Sequence, residues 1–118
     1  MSRSRSAERL ASAAPVFAAL GDETRLRIVA RLCVEGPQSI VRLTDGSDVS
    51  RQAISKHLHL LAETGLVRGS REGRERVWEV RPRRLADARR YLEQISDQWD
   101  AAVLRLRALV EDEEEDEG

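Results

Sequence analysis

Cysteine is almost absent from this sequence of 118 residues, which contains only Cys33. One thiol excludes an internal disulfide framework and any zinc site built from several thiolates, and it is typical of a reducing compartment. The longest apolar runs fall far short of the roughly 20 residues that a membrane span needs. Because the first residues, MSRSRSAER, also lack the apolar stretch of a signal peptide, we expect a cytoplasmic protein.

Aromatic residues are scarce too, at 3% of the chain, whereas charged residues make up 35%. The net charge of −1 conceals an uneven distribution, because seven of the 21 acidic residues lie in the segment 111–117. The rest of the chain has 20 cationic side chains against 14 acidic ones, a surplus of six. A basic body indicates a polyanionic partner. We expect residues 111–118 to form an acidic, disordered tail; the alternative is a tail that competes for the basic surface.

Apolar periodicity predicts two helices at the start of the chain. The first would have one apolar face, formed by Leu10, Ala14, Phe17 and Leu20. The second would follow the N-cap residue Asp22, whose carboxylate can accept hydrogen bonds from free backbone N–H groups. Its buried stripe is expected to consist of Leu26, Val29, Leu32 and Cys33, which would make the thiol buried and inert.

Two further helices are predicted within residues 39–65, separated by the turn-forming run Asp45-Gly46-Ser47-Asp48. The shorter one would cover residues 39–45, with Ile40 and Leu43 directed inward. The longer one would begin after the N-cap Ser50 and end near Glu63. Its buried stripe is Ile54, Leu58 and Leu61. This order of short helix, turn and second helix is a helix-turn-helix pattern.

The face of the longer helix opposite its buried stripe is polar and free of acidic residues. Such a helix can present its N-terminal end to the base edges of DNA, where Gln pairs bidentately with adenine and Arg with guanine. Lysine and serine side chains are more suited to phosphate contacts, which set the register. The expected DNA-binding residues on this helix are Ser50, Arg51, Gln52, Ser55, Lys56 and His59. Taken alone, the stripe also fits an ordinary solvated helix face.

The segment LVRGSREGRERVWEV predicts a two-stranded hairpin with a turn at Glu72-Gly73. Alternation would place Arg76, Trp78 and Val80 on one face. Arginines cluster on this hairpin, which can reach the DNA backbone or the minor groove beside the helix. We expect its DNA contacts to come from Arg71, Arg74 and Arg76.

LGDETRLRIV, followed by SRQAISKHLHLLAETGLVRGSREGRERVWEV, resembles the ArsR-type winged-helix repressors of bacteria, over about residues 16–110. The resemblance implies a homodimeric DNA-binding regulator, usually a repressor, with Arg51, Gln52, Ser55 and Lys56 facing the groove. One departure is Ser47-Asp48, where the family usually has a leucine-glycine pair. The expected fold is α+β and mostly helical, a winged helix-turn-helix with a two-stranded hairpin wing. Residues 1–110 would form this one domain.

A last helix is predicted over about residues 85–110, with apolar residues in alternating steps of three and four. A domain this small cannot cover so long a stripe, so we expect a partner helix from a second copy rather than packing within one chain. Family members dimerise through their first and last helices, which suggests that Leu10 and Phe17 take part. The expected dimer interface is Leu10, Phe17, Leu92, Ile95, Trp99, Ala102, Leu106 and Leu109.

The sequence also bears on three other functions. A metal-responsive derepressor is possible because many ArsR-type proteins sense metals, yet this chain has Ser39-Ile40-Val41 at the family's cysteine pair and no histidine on its last helix. We therefore expect no metal site and no cofactor, as in the branch without metal motifs, and His57 is expected to be a packing residue. A winged-helix protein–protein adaptor is a second alternative. No nucleophile–base set or phosphate-binding glycine loop indicates an enzyme.

Overall fold

A computed structural model describes the backbone of residues 2–117 and the side chains of residues 8–113. The helices and strands are α1 (Ser2–Leu20), α2 (Glu23–Glu35), β1 (Gln38–Ser39), α3 (Ile40–Thr44), α4 (Arg51–Glu63), β2 (Val67–Glu72), β3 (Glu75–Val80) and α5 (Pro82–Glu117). The chain divides into two units, Met1–Ala88 and Arg89–Gly118, and the second consists of most of α5. The α+β, mostly helical fold class is confirmed.

The sheet has three antiparallel strands in the order β1-β3-β2. The expected two-stranded hairpin is present, but β1 adds a third strand, with Gln38 paired to Trp78 and Ser39 to Val77. This strand follows Gly36-Pro37 and is only two residues long. It is therefore too short for an alternating apolar pattern to reveal it in the sequence. The hairpin turn is Gly73-Arg74 rather than Glu72-Gly73, because Glu72 pairs directly with Glu75. Gly73 has φ +64, which a glycine adopts without strain.

Helix α1 buries a different face from the one expected. Ala13, Val16 and Ala19 are buried, whereas Leu10 is 52% exposed and Ala14 is exposed. The small side chains face inward where α1 packs against α2. The larger apolar residues are therefore left on the flanks of the helix.

Helix α2 begins as expected, with Asp22 as its N-cap. The buried residues are Ile28, Val29 and Leu32, so the prediction for Leu26 and Cys33 is wrong: Leu26 is 51% exposed and the Cys33 thiol is exposed. The inward stripe is rotated by about one residue because α4 and β3 both pack on this side of the helix.

The hydrophobic core lies in the first unit. Leu58, Leu61, Leu66, Val16 and Val67 are its largest fully buried side chains. Two of them belong to α4, whose predicted stripe of Ile54, Leu58 and Leu61 is confirmed. Fully burying such an aliphatic side chain contributes roughly 1.5–3 kcal/mol, so this stripe fixes which face of α4 is turned away from solvent.

Helix α5 is longer than expected at both ends. It begins at Pro82, which suits the first helical turn because the missing N–H has no partner there. It continues to Glu117, so the acidic segment expected to be a disordered tail is helical in its backbone, while Gly118 lies outside the described residues. The division of the chain into a domain of residues 1–110 and an acidic tail of residues 111–118 stays a prediction. None of the helices within residues 2–117 is long and apolar enough to cross a membrane.

The N-cap of α2 makes folding sensitive to acid. The backbone N–H of Arg25 donates to the Asp22 carboxylate at 3.0 Å, and this hydrogen bond holds the pKa of Asp22 below its ordinary value of 3.8. A depressed pKa in the folded state stabilises the fold above the ordinary value, and this contribution is lost as pH falls through the lowered one. We expect Tm to drop further in acid for the wild type than for Asp22→Asn, whose amide caps the helix without titrating. Parallel curves of Tm against pH would contradict this.

Candidate nucleic-acid interface

Helix α4 is fixed at both ends and along one face. The Ser50 hydroxyl accepts a hydrogen bond from the Ala53 N–H at 3.2 Å, which caps the first turn. At the other end the chain leaves the helix through Gly65, which has φ +81. Since Ile54, Leu58 and Leu61 hold the inner face in the core, the outer face is presented to solvent.

The outer face of α4 carries the residues that the sequence assigned to DNA. Arg51, Gln52, Lys56 and His59 are exposed, and Ser55 is half-buried. Ser50 is exposed as well, and because its oxygen accepts from Ala53, its own proton remains available to donate. The structure therefore places these residues on one side of the helix, and their DNA contacts stay a prediction.

An arginine network joins α4 to the helices before it, and no local sequence pattern indicates it. Arg25 Nε donates to the Ala19 carbonyl oxygen at 2.8 Å, and Arg25 Nη1 lies 3.3 Å from His57 Nδ1. His57 is half-buried, in agreement with a packing role, and its Nδ1 lies 3.8 Å from Asp22 Oδ2. Arg25 thus connects the end of α1 and the start of α2 to the middle of α4.

A second arginine secures the C-terminal end of α4. Arg84 Nε donates to the Thr64 carbonyl oxygen at 2.9 Å, while Arg84 Nη2 donates to the Ser12 carbonyl oxygen at 2.8 Å. The same guanidinium lies 3.8 Å from Asp87. Arg84 therefore ties the end of α4 to α1, a contact between residues 72 positions apart that no sequence pattern indicates.

The wing, defined as the β2–β3 hairpin, contacts α4 through an aromatic residue. Trp78 is buried, the Arg76 guanidinium carbon lies 5.1 Å from the centre of its ring, and the His59 ring meets it edge-on with centroids 5.6 Å apart. A guanidinium over an indole face is attracted by the ring quadrupole. The stack of His59, Trp78 and Arg76 thus holds the wing beside the outer face of α4.

The charged residues at the base of the wing form an ion pair, whereas those near its tip have like charges opposite each other. Near the base, Arg68 forms an ion pair with Glu79 across the strands at 2.8 Å. Nearer the turn, Arg71 stands directly opposite Arg76 in the ladder. Like charges in directly opposed positions are destabilising, so the tip is not arranged for the stability of the hairpin itself. Arg71, Arg74 and Arg76 are all exposed, as a role in binding an anion requires.

A substitution at Gly69 tests the packing of this stack. Gly69 is paired with Trp78, and a Cβ built on it would lie 2.9 Å from Arg76 Nε and 3.1 Å from the Trp78 ring. We expect Gly69→Ala to displace both side chains and lower the free energy of unfolding by about 1–3 kcal/mol, as in other overpacked sites. Chemical denaturation measures this. The matched control is Ser70→Ala on the same strand. Another glycine such as Gly46 would not serve, because its positive φ makes any substitution there strained for a different reason. Equal stability of the two variants would contradict the close packing.

A cleft of about 370 Å³ lies between α4 and the wing, and is called here the α4–wing cleft. Its apolar lining consists of the buried Trp78, the half-buried Ile40 and the exposed Val41. The described lining residues are Ser39, Ile40, Val41, Arg51, Ser55, His59, Arg74, Glu75, Arg76 and Trp78. Basic side chains from two different elements therefore face one opening.

The predicted dimer residues are mostly exposed in the single chain. Within α5, Leu92, Ile95, Trp99, Leu106 and Leu109 are between 43% and 69% exposed, and Ala102 is half-buried. On α1, Leu10 is exposed, whereas Phe17 is half-buried and packs against the core of its own chain. Phe17 therefore has less surface to offer a partner than expected. Among the residues whose side chains are described, no three or more His, Cys, Asp or Glu are grouped as metal ligands.

Comparison with known proteins agrees with this geometry. A family model described as a helix-turn-helix domain matches residues 20–70. The HTH-type transcriptional regulator Rv2034 of Mycobacterium tuberculosis is 36% identical over 98 residues, which cover 83% of this chain and 88% of that protein. The arsenical resistance operon repressor of Escherichia coli is 33% identical over 95 residues, covering 80% and 79%.

Solved structures give the same assignment. An ArsR-like transcriptional regulator from Rhodococcus sp. RHA1 is 39% identical and matches with a TM-score of 0.72, over 84% of this chain and 92% of that one. The possible transcriptional regulator for arsenical resistance is 35% identical, with a TM-score of 0.61 over 66% and 80% of the two chains. These relatives are transcription regulators rather than enzymes. The chain belongs to the ArsR family of winged helix-turn-helix, DNA-binding transcription regulators.

Proposed function

We propose that this protein is a homodimeric repressor that binds a pseudo-palindromic operator in the promoter region of its own operon. The observation that carries the proposal is the outer face of α4, where Arg51, Gln52, Ser55, Lys56 and His59 lie beside an arginine-bearing wing and the one acidic residue, Glu63, is at the C-terminal end of the helix. A helix anchored by its inner face and basic on its outer face fits the major groove. We further propose that it acts in the cytoplasm.

The side chains on α4 divide by the chemistry of their contacts. Arg51 and Gln52 lie in the first turn, where a recognition helix approaches base edges, and both have planar groups that form bidentate hydrogen bonds. Lys56, Ser50 and Ser55 suit phosphate oxygens, which position the protein without distinguishing sequences. On the wing, Arg71, Arg74 and Arg76 would contact the flanking backbone or the minor groove.

The exposed stripe of α5 supports a homodimer. With the half-buried Ala102, its members Leu92, Ile95, Trp99, Leu106 and Leu109 repeat at steps of three and four, and each of these five is at least 43% exposed. A row of large apolar residues exposed along one helix favours burial against a matching helix. A two-fold dimer presents two copies of α4, and these would occupy half-sites about one or two helical turns apart.

Selection from genomic DNA followed by footprinting tests this function. Purified protein is incubated with fragments of its own genome, bound fragments are recovered, and the tightest one is footprinted. We expect enrichment of DNA upstream of its own gene and a footprint with two inverted half-sites. No enrichment of any fragment, or a footprint of one asymmetric site, would contradict the proposal.

A further inference from the structure

The guanidinium of Arg84 joins three helices at one point. Arg84 belongs to the first turn of α5, and the contacts described below lie within the unit Met1–Ala88. Its Nε donates to the Thr64 carbonyl oxygen at the end of α4. Its Nη1 and Nη2 donate to the hydroxyl and the carbonyl oxygen of Ser12 on α1, at 3.2 Å and 2.8 Å. One rigid planar group therefore binds two other helices at the same time.

The acceptor on α4 is one that the helix itself leaves open. Thr64 is the C-cap of α4, and the last carbonyl groups of a helix have no acceptor role within it. A cation at this end also interacts favourably with the helix dipole. The stem of Arg84 covers the next residue, since a Cβ built on Gly65 would lie 3.6 Å from Arg84 Cγ. Arg84 thus holds the C-terminal turn of α4 through both its head group and its stem.

The acceptors on α1 lie in a turn that contains a proline. Pro15 is inside α1 and has no N–H, so the carbonyl oxygen of Ala11, four residues earlier, lacks its usual helical donor. Ser12 follows Ala11 in this turn, and its hydroxyl adds a second acceptor beside its carbonyl oxygen. Arg84 therefore binds α1 where the hydrogen bonding of the helix is incomplete.

Hydrogen bonds at two separate places relate the direction of α4 to that of α1. Arg25 connects the Ala19 carbonyl oxygen to His57 in the middle of α4, and Arg84 connects Ser12 to the end of α4. The apolar stripe of α4 excludes water, but hydrophobic burial is non-directional. Hydrogen bonds depend on angle as well as distance. The contact at Arg84, at the end of the helix, therefore limits how far α4 can swing about its middle.

We propose that Arg84 is a positioning residue that sets the distance and angle between the two copies of α4 in the dimer, and thereby the half-site spacing that the protein accepts. The inference rests on the proposed homodimer. Leu10 of that interface is on α1 and its apolar stripe is on α5, so Arg84 connects α4 to both helices of the interface. In a two-fold dimer, any change in the angle of α4 occurs in both copies. Half-site spacing therefore depends on Arg84.

The first experiment measures the separation of the two α4 helices without DNA. A nitroxide is attached at Glu63→Cys, an exposed position near the end of α4, after the exposed native thiol is removed by Cys33→Ser. Double electron–electron resonance records the distances across the dimer. We expect one narrow distance with Arg84 present and a broader or shifted distribution in Arg84→Lys, which keeps the charge but loses the planar fork of donors. Arg84→Met, which keeps only an apolar stem, should show the same change.

Two controls separate this role from a general loosening of the protein. Arg89→Lys changes an arginine on the same helix that is paired with Glu93 at the surface, and should leave the Glu63 distances unchanged. A label at the exposed Asp97 on α5 should give the same distances in the wild type and in Arg84→Lys. Identical Glu63 distances with and without Arg84, or equal broadening at Asp97, would overturn the proposal. Thermal melts that show both Arg84 variants unfolded would also overturn it, since Arg84 would then be required for the fold itself.

The second experiment measures the accepted spacing directly. Affinity is determined for the selected operator and for versions with one or two base pairs inserted between the half-sites, each of which turns one half-site by about 34–36°. We expect the wild type to lose most of the roughly 10²–10⁴-fold gain that two linked half-sites provide. Arg84→Lys should discriminate less between spacings and bind a single half-site as tightly as the wild type.

The outcomes distinguish the two proposals. A merely structural role of Arg84 would lower affinity for a single half-site as well and leave the spacing preference unchanged. If the wild type is monomeric or binds no operator, the proposed function fails. If it binds as a dimer and both Arg84 variants keep its spacing preference, the positioning proposal alone fails.

Discussion

Trp99→Asp is expected to convert the protein from a dimer into a monomer and to lower its operator affinity by about 100-fold or more. Trp99 is 69% exposed in the single chain and lies in the middle of the apolar stripe of α5. A carboxylate at that position would be buried without a partner in a helix–helix interface, which costs several kcal/mol. Light scattering after gel filtration should give about 13.3 kDa instead of twice that mass.

The loss of affinity follows from losing the second half-site. A dimer holds its second α4 at a high effective concentration near the DNA, which raises affinity by about 10²–10⁴ over one subunit. Leu104→Asp is the matched control, because Leu104 is 65% exposed on the same helix but lies away from the stripe. A Trp99→Asp variant that remains dimeric, or a Leu104→Asp variant that dissociates equally, would contradict the assigned interface.

Arg51→Ala and Gln52→Ala are expected to reduce sequence discrimination more than total DNA affinity. Each bidentate contact to a base supplies roughly 1–3 kcal/mol, so the preference for operator over altered sequence should fall about 10- to 100-fold per half-site. Anisotropy titrations against the operator and single-base variants measure the ratio. Lys56→Ala serves as the comparison, since loss of a phosphate contact weakens binding to all sequences alike. Equal weakening on all sequences by Gln52→Ala would exclude it from base recognition.

The recognition helix and the wing could be predicted from sequence because their signals are local. Ser50 is a strong N-cap, the spacing of Ile54, Leu58 and Leu61 defines one face, and the alternation in RVWEV defines a strand. Each of these depends on residues within a few positions of one another. The outer face of α4 then follows by geometry, which is why the candidate DNA residues are found together on it.

The inward faces of α1 and α2 could not be predicted in the same way. Both helices have apolar residues on more than one side, and tertiary packing decides which side is buried. In α2 the choice of Ile28 over Leu26 depends on where α4 and β3 lie. Likewise, small residues of α1 face inward because close approach to α2 favours them.

The arginine contacts are non-local and leave no pattern in the sequence. Arg25 and Arg84 each reach backbone carbonyl oxygens of distant segments through a long, flexible side chain. A sequence with 19 arginines gives no indication of which two serve this purpose. The same limit applies to the stack on Trp78, since its partner His59 belongs to another element.

The most direct test of the central claim is a salt titration of binding to the DNA upstream of the protein's own gene. If two copies of α4 and the wing neutralise several phosphates each, log K should fall linearly with log salt, with a slope of about −0.9 for each phosphate contacted. The operator should bind about 10³-fold or more tightly than a scrambled fragment at physiological salt. An affinity independent of salt, or equal affinity for both fragments, would contradict the account.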